Sequence, residues 1–482
     1  PAKLVVTSPD ANATCGVNDI TCSVFKAAGD SFNLNIEAQC DGGTPTPNYQ
    51  PQANNRLELS VQQEAPTVAL GALTIASSGV VIDATNNTTT IGKDVEVSNL
   101  SLAVNYSEVG IINIAARDTD YLGTPINFSS YTTIGRFIPD HFELAEIEGG
   151  SLTSICESVT PNIAMPFVYN GQMQIASPTR GAIRYGAALL PEFTITAKSA
   201  LCPGGNCSTT QNYTGDYMRL LPAGVIRVVP TSDVTTNGKD GATKLNLTAQ
   251  LNDVTLSEAS GIVNYQFDGN DNFVYTKEAN AERAPVVESD IDLVITSVTD
   301  QDSVTANDTN GAGIDGVLTL EPTGIEVRFG RITLENAYGP ETSPLPVPMM
   351  VQYFDGTHYV NNVDDTCTIP GLTDKEAGAI HSGGLDLWDY RLVDLDATDT
   401  LEVIETSGSI SGGFEDGVNR NFIFGSPGQG NQGGLQLEYQ VPSWLQYDWV
   451  TPDSFTANPT AILSFGLYRG NDRIIYWREV NN

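Results

Sequence analysis

Residues Phe32-Asn-Leu-Asn-Ile36 carry an apolar side chain at every second position. The same period returns at Leu57-Glu-Leu-Ser-Val61, Phe193-Thr-Ile-Thr-Ala197 and Leu245-Asn-Leu-Thr248. A strand turns successive side chains to opposite faces, so this period sets one face against a core and the other against water. That is the pattern of half-buried antiparallel sheet. Between such runs lie turn clusters: Asp41-Gly-Gly, Asn237-Gly, Asp268-Gly-Asn-Asp-Asn272, Asp355-Gly and Ser411-Gly-Gly. Helical periodicity never extends beyond about three turns, and Thr373-Asp-Lys-Glu-Ala-Gly-Ala379 is the one short helix the pattern suggests. The fold predicted is all-β, built of tandem immunoglobulin-like antiparallel β-sandwich domains.

Working outward, the chain has 482 residues, enough for about three domains at roughly 100–200 residues each. Its 58 acidic and 23 basic residues give a formal net charge of −35, although only 17% of residues are charged, below the roughly 25% of an ordinary domain. The acidity therefore comes from scarce Lys and Arg. Such a field repels nucleic acid and anionic membrane surfaces, which removes both from the expected partners. No apolar run approaches the ~18 residues of a membrane-spanning helix. The opening Pro1-Ala-Lys-Leu4 has no signal-peptide pattern, so an exported chain would have lost its signal or carried it outside these residues.

Seven cysteines, Cys15, Cys22, Cys40, Cys156, Cys202, Cys207 and Cys367, sit in Thr-, Asn- and Gly-rich stretches. A thiolate zinc site needs four ligands at CxxC-like spacing. With no CxxC and only His141, His358 and His381 to add, disulfides in an oxidising compartment are the better reading. The odd count leaves one thiol over, and Cys367, alone in the last third, is the candidate.

An internal repeat divides the chain. Pro1-Ala-Lys-Leu-Val5 is echoed by Pro139-Asp-His-Phe-Glu-Leu144, and the run Phe32 to Cys40 followed by Asn48-Tyr49 matches Phe193 to Cys202 followed by Asn212-Tyr213. Further on, Thr119-Asp-Tyr-Leu-Gly123 corresponds to Thr299-Asp-Gln-Asp-Ser303, and Gly135-Arg-Phe137 to Gly330-Arg-Ile332. The order is conserved between the two copies. Domains are therefore expected at 1–136, 137–330 and 331–482. The alignment predicts bridges Cys22–Cys40 and Cys156–Cys202, with Cys15 and Cys207 as competing partners.

Several longer motifs, taken together, carry a family resemblance. They are Gly135-Arg-Phe-Ile-Pro-Asp-His-Phe142, Pro166-Phe-Val-Tyr-Asn-Gly171, Thr210-Gln-Asn-Tyr-Thr-Gly215, Arg328-Phe-Gly-Arg-Ile-Thr-Leu-Glu-Asn-Ala-Tyr-Gly339, Pro344-Leu-Pro-Val-Pro348, Asp364-Asp-Thr-Cys367 and Ile475-Tyr-Trp-Arg-Glu479. In this order the chain resembles the MshQ-like proteins of the mannose-sensitive haemagglutinin (MSHA) type IV pilus of Gram-negative bacteria. The match is good over roughly 130–482; residues 1–130 match as a further repeat copy. The resemblance implies an extracellular, pilus-linked protein acting in adhesion or in pilus tip assembly, with pilus subunits or other tip proteins as partners. It supplies no catalytic residue.

The residues offer little enzyme chemistry. No Gly-x-Ser-x-Gly elbow or phosphate loop is present. His141, at a domain junction, is read as satisfying a backbone hydrogen bond. The expectation is a non-enzyme. A structural stalk presenting a separate N-terminal binding module is the first alternative, and a polysaccharide-active enzyme the second. Calcium is the one cofactor suggested: Asp300-Gln-Asp302 followed by Asp308, Asn310 and Asp315 sets oxygen donors at alternate positions with Gly between them, although the bidentate Glu of an EF-hand is missing. Solvated turns need the same residues. For surface glycans, Trp388, Trp444, Tyr447 and Trp449 supply aromatic faces beside carboxylates and amides; core packing is the commoner fate of such side chains.

Overall fold

The computed structural model describes residues 1–49, 57–76, 88–91, 99–128, 130–156, 163–186, 188–228, 232–235, 243–252, 254–277, 285–289, 291–306, 318–368, 408–409, 413–426, 429, 433–447 and 455–466. Among them, helix is confined to four 3₁₀ turns of three residues each. The expected helix at Thr373–Ala379 lies outside the described residues.

Alternation becomes a sandwich. Strand Ser31–Gln39 buries Phe32, Leu34, Ile36 and Ala38 and leaves the residues between them at the surface. It pairs antiparallel with Lys3–Thr7 on one side and Asn99–Tyr106 on the other, and Leu73–Ile75 completes the sheet. The facing sheet runs Lys26–Ala27, Thr132–Ile138, Gly110–Tyr121, Leu57–Ala65, Thr88–Ile91. The two apolar faces meet in a core that includes Leu34, Leu59, Ile112 and Ile114. Phe25, Phe32 and Phe137 pack edge-on or tilted there, with centroids 5.3–5.4 Å apart. Each fully buried side chain of this size contributes about 1.5–3 kcal/mol.

The second unit repeats the first sheet's order. His141–Glu148 pairs with Glu192–Lys198, that with Ile262–Gln266, and that with Thr255–Ala259. Across the core lie Leu152–Cys156, Ile183–Tyr185, Asn272–Tyr275 and Thr243–Gln250. In the third unit Gly330–Leu334 pairs with Met349–Phe354, and Gly433–Glu438 with Thr460–Phe465. Every unit also joins an early strand to its last described strand in parallel: Lys26–Ala27 with Thr132–Ile138, Phe167–Tyr169 with Glu326–Arg328, Ala337–Gly339 with Thr460–Phe465. Among the described residues, no strand pair crosses from one unit to the next. The chain passes between units at Ile138–His141 and at Arg328–Gly330.

A recurring hydrogen bond marks the repeat physically. The Tyr49 hydroxyl donates to Asp118 Oδ2 at 2.8 Å, and Tyr213 to Asp300 Oδ2 at 2.9 Å. In both places the acid's other oxygen accepts the N–H two residues on. The tyrosines of the Asn48-Tyr49 and Asn212-Tyr213 pairs thus make the same bond. A third instance crosses between units, where Tyr169 donates to Asp365 at 2.6 Å and Asp365 caps the N–H of Cys367. Burial first, then the neighbouring carboxylate, holds all three phenols above their usual range, so they remain protonated donors.

The cysteine pairing corrects the sequence expectation. The bridges are Cys15–Cys22, Cys156–Cys367 and Cys202–Cys207, and the exposed Cys40 is the free thiol. Neither Cys22–Cys40 nor Cys156–Cys202 forms, and Cys367 is not the odd one. The reason is the sheet each sulfur belongs to. Cys156 ends a strand at the point where it enters the third unit's core, whereas Cys202 lies in a loop following the opposite sheet. Order along the chain carried no information about that.

Candidate functional site: the two joints between units

The first joint is built on Arg136, in the last strand of the first unit, and is 7% exposed. Its guanidinium grips Asp302 of the second unit bidentately, at 2.6 and 2.8 Å, and Nε donates to Cys22 O at 3.1 Å. Beside it, the buried Glu108 carboxylate accepts the backbone N–H groups of Gln211 and Asn212 at 3.0 and 3.1 Å. Burial pushes Glu108 above the usual carboxylate range despite those donors. Asn212 then exchanges two 2.8 Å hydrogen bonds with the Ala69 backbone, one in each direction. Gly29 has φ +94°, and a Cβ there would come within 2.7 Å of Leu201 N and Ser199 Oγ, so only glycine allows this approach. The second unit's core takes in Cys15, Ala65, Val109 and Ile111 of the first, so apolar packing is continuous across the joint.

At the second joint Arg328 has the corresponding place, in the strand paired in parallel with Phe167–Tyr169. Its guanidinium pairs with Glu326 and Asn362, reaches Asp364 Oδ2 at 2.7 Å, and stacks on Phe167 and Tyr353 at 4.3 and 4.6 Å. The sequence had matched Arg136 with Arg331. Arg331 instead lies over the Tyr359 ring and bonds Gln352, within the third unit. Lys277 closes this joint. Its ammonium donates to the carbonyls of Gly330, Trp444 and Gln446 at 3.2, 2.7 and 3.0 Å, and lies 4.8 and 5.5 Å from the Phe329 and Phe455 rings. Burial pulls its pKa down to about 7; the three carbonyl oxygens and the ring faces favour the charged form against that pull. The Cys156–Cys367 bridge ties the second and third units covalently, across a sequence separation of 211.

The predicted ligand residues are otherwise occupied wherever they can be seen. Asp302 is committed to Arg136, and Asp300 accepts the N–H groups of Asp302 and Val304 besides the Tyr213 hydroxyl. Asp300 organises a turn and Asp302 a joint. Asp308, Asn310 and Asp315 lie outside the described residues. In the turn Asp268-Gly-Asn-Asp-Asn272, Asp268 caps Asn270, and the buried Asp271 faces Arg227 at 3.1 Å. Tyr447 is only 6% exposed and packs against Tyr359 and Phe455, so it is core and not a glycan face; Trp444 packs, partly buried, on the third core. Trp388 and Trp449 lie outside the described residues. His141 does not bond backbone as read: its Nδ1 sits 2.8 Å from Asp140 Oδ2. Sequence reasoning missed Glu108, Lys277 and Arg328. The one available signal was scarcity, since a lysine closing the apolar run Asn272-Phe-Val-Tyr275 is unusual in so acidic a chain.

No helix among the described residues is long and apolar enough to cross a membrane. The sequence matches no curated protein. Among solved structures, the Escherichia coli adhesin FdeC is 9% identical, covering 96% of this chain and 98% of its own, with a TM-score of 0.27. Invasin, a bacterial integrin-binding protein, is 9% identical over 96% of this chain and 78% of its own, with a TM-score of 0.21. The C-terminal domain of the Streptococcus pyogenes antigen I/II-family protein AspA is 9% identical over 68% and 99%, with a TM-score of 0.17. Likenesses this loose carry no argument, and the fold rests on the strand pairing above. Family models match in series: DUF6701, second domain, at 1–93; third domain, at 108–322; fourth domain, at 328–480. The strand Gly110–Tyr121, counted there with the third domain, is hydrogen-bonded into the first sandwich beside Leu57–Ala65. With nearly its whole length matched, the chain belongs to the DUF6701 family.

Proposed function

We propose that this protein is a non-catalytic component displayed outside the cell, in which coupled sandwiches hold an adhesive or assembly surface away from the envelope. The observation that carries this reading is the construction of the joints. Both share apolar packing between neighbouring units and bury an Arg that spans from one unit to the next, or a covalent bridge, where mobility would otherwise be expected. Three disulfides support an oxidising compartment. The resemblance to MshQ-like proteins supports a place in an MSHA-type pilus, with pilus subunits as partners. Calcium on Asp308, Asn310 and Asp315 belongs to the same proposal on the strength of donor spacing alone; chelation that leaves the melting temperature unchanged removes it.

A second reading, a stalk without a ligand of its own, is favoured by the burial of Tyr447. Immunogold labelling on intact cells, joined to glycan-array binding by this chain, separates the two. Label on pili with glycan binding supports adhesion, and label without binding supports the stalk. Label confined to the cytoplasm sinks both.

A further inference from the structure

We propose that opening the Cys202–Cys207 disulfide creates a site for one zinc-class divalent ion on His141, Glu143 and Cys207. His141 begins the strand His141–Glu148, opposite Lys198, and the two-residue period puts Glu143 on the same face while Phe142 turns into the core. The loop after Lys198 folds back over that face, with Thr209 bridged to Lys198 and Cys207 O accepting from Lys198 Nζ at 3.2 Å. Cys207 is thereby delivered beside the histidine.

The imidazole is prepared for a metal. It is 3% exposed, and in the tautomer whose Nδ1–H donates to Asp140 Oδ2 at 2.8 Å the lone pair is on Nε2. That nitrogen is buried and has no hydrogen-bond partner; Glu143 Oε1 lies 3.8 Å away. Lys198 holds the other oxygen, Oε2, at 2.9 Å. The donor atoms of His141, Glu143 and Cys207 lie within 4.8 Å of one another. A carboxylate behind a ligating histidine is the usual support of such centres, and an N, O, S donor set selects zinc-like ions over calcium or magnesium.

Bonds of about 2.0–2.3 Å require this triangle to shrink by roughly 1 Å. The disulfide prevents that by holding the Cys207 sulfur on Cys202. Cys202 is exposed, so an external dithiol can reach the bridge. The dithiol delivers two electrons and two protons, the S–S bond breaks, two thiols form, and the dithiol becomes a disulfide. The ion then displaces the Cys207 thiol proton to water and bonds the thiolate. Exchange with an external disulfide, which takes up the two electrons and two protons and leaves as a dithiol, re-forms the Cys202–Cys207 bond and expels the ion.

The test uses the full chain carrying C40S and C202S, which leaves Cys207 as a lone thiol and keeps the other two bridges. Cobalt(II) is the probe, since thiolate ligation gives a charge-transfer band. One equivalent should bind with that band, zinc should displace it, and adding His141→Ala should weaken binding about tenfold or more. The oxidised C40S chain should show no band until treated with a dithiol that is then removed. Absence of the band in folded C40S/C202S overturns the proposal, as does a band of unchanged affinity in the His141→Ala variant. Should C40S/C202S not fold, the C40S chain and its His141→Ala variant, each reduced with a dithiol that is then removed, give the same decision.

Discussion

Arg136 and Arg328 occupy corresponding places in their units, yet their surroundings differ. The side chains of Arg136 and Asp302 are 9% and 8% exposed, so the first joint commits a desolvated, bidentate pair to holding two units together. Arg328 is 8% exposed, but its partner Asp364 is 49% exposed, and much of that pair's attraction is screened by water. The second joint compensates with the Cys156–Cys367 bridge, the capped Lys277 and two aromatic faces under the guanidinium. One connection thus adds charge geometry in a dry setting to its apolar packing. The other spreads the task over a covalent tie and packing.

The largest test of this contrast removes the tie. The double variant Cys156→Ser/Cys367→Ser should lose roughly 4–5 kcal/mol, as expected for a bridge closing a very long loop, seen as earlier denaturant unfolding of the last two units. An unchanged midpoint would mean that the second joint does not rely on it. Next, Arg136→Met should cost about 3–5 kcal/mol by stranding Asp302, with part regained in Arg136→Met/Asp302→Leu, because a buried pair is worth less than the penalty of breaking it. Arg328→Met should cost less, about 1.5–3 kcal/mol; equal losses at the two arginines would break the comparison.

Smaller effects belong to the repeated Tyr–Asp bonds. Tyr213→Phe and Tyr169→Phe should each lower stability by about 1–3 kcal/mol, since each leaves a buried carboxylate short of a donor. A much larger loss at Tyr169, measured by the same unfolding, would show that the contact between units outweighs the one within a unit. The smallest effect is in pH. Burial raises Glu108 in the folded chain, so the folded state binds its proton more tightly than the unfolded state does. That contribution is complete below the ordinary glutamate value of about 4.3 and fades as pH rises through the raised one. Calorimetry should therefore find the protein gaining on its Glu108→Gln variant as pH falls from neutral towards the ordinary glutamate value.

Much of the fold was legible. The run at Phe32–Ile36 foretold which side chains Ser31–Gln39 would bury, and Asn48-Tyr49 with Asn212-Tyr213 marked side chains that make the same bond twice. Arg136 was visible as part of a Gly-Arg landmark, but its counterpart was displaced from Arg328 to Arg331, because a short motif fixes no register. Glu108 gave no pattern and Lys277 only its scarcity, since their partners are backbone groups brought in from other units.

What the sequence by itself determined is the strand character of the chain, its acidity and its supply of thiols. Strand period is a local property, settled between neighbouring residues. Tertiary structure alone decided that Cys156 meets Cys367, with Cα atoms 5.4 Å apart, that Tyr447 faces inward, and that two arginines join units end to end. A bridge needs Cα atoms within about 4.4–6.8 Å, and that distance follows from how sheets stack against each other, which no run of adjacent residues encodes.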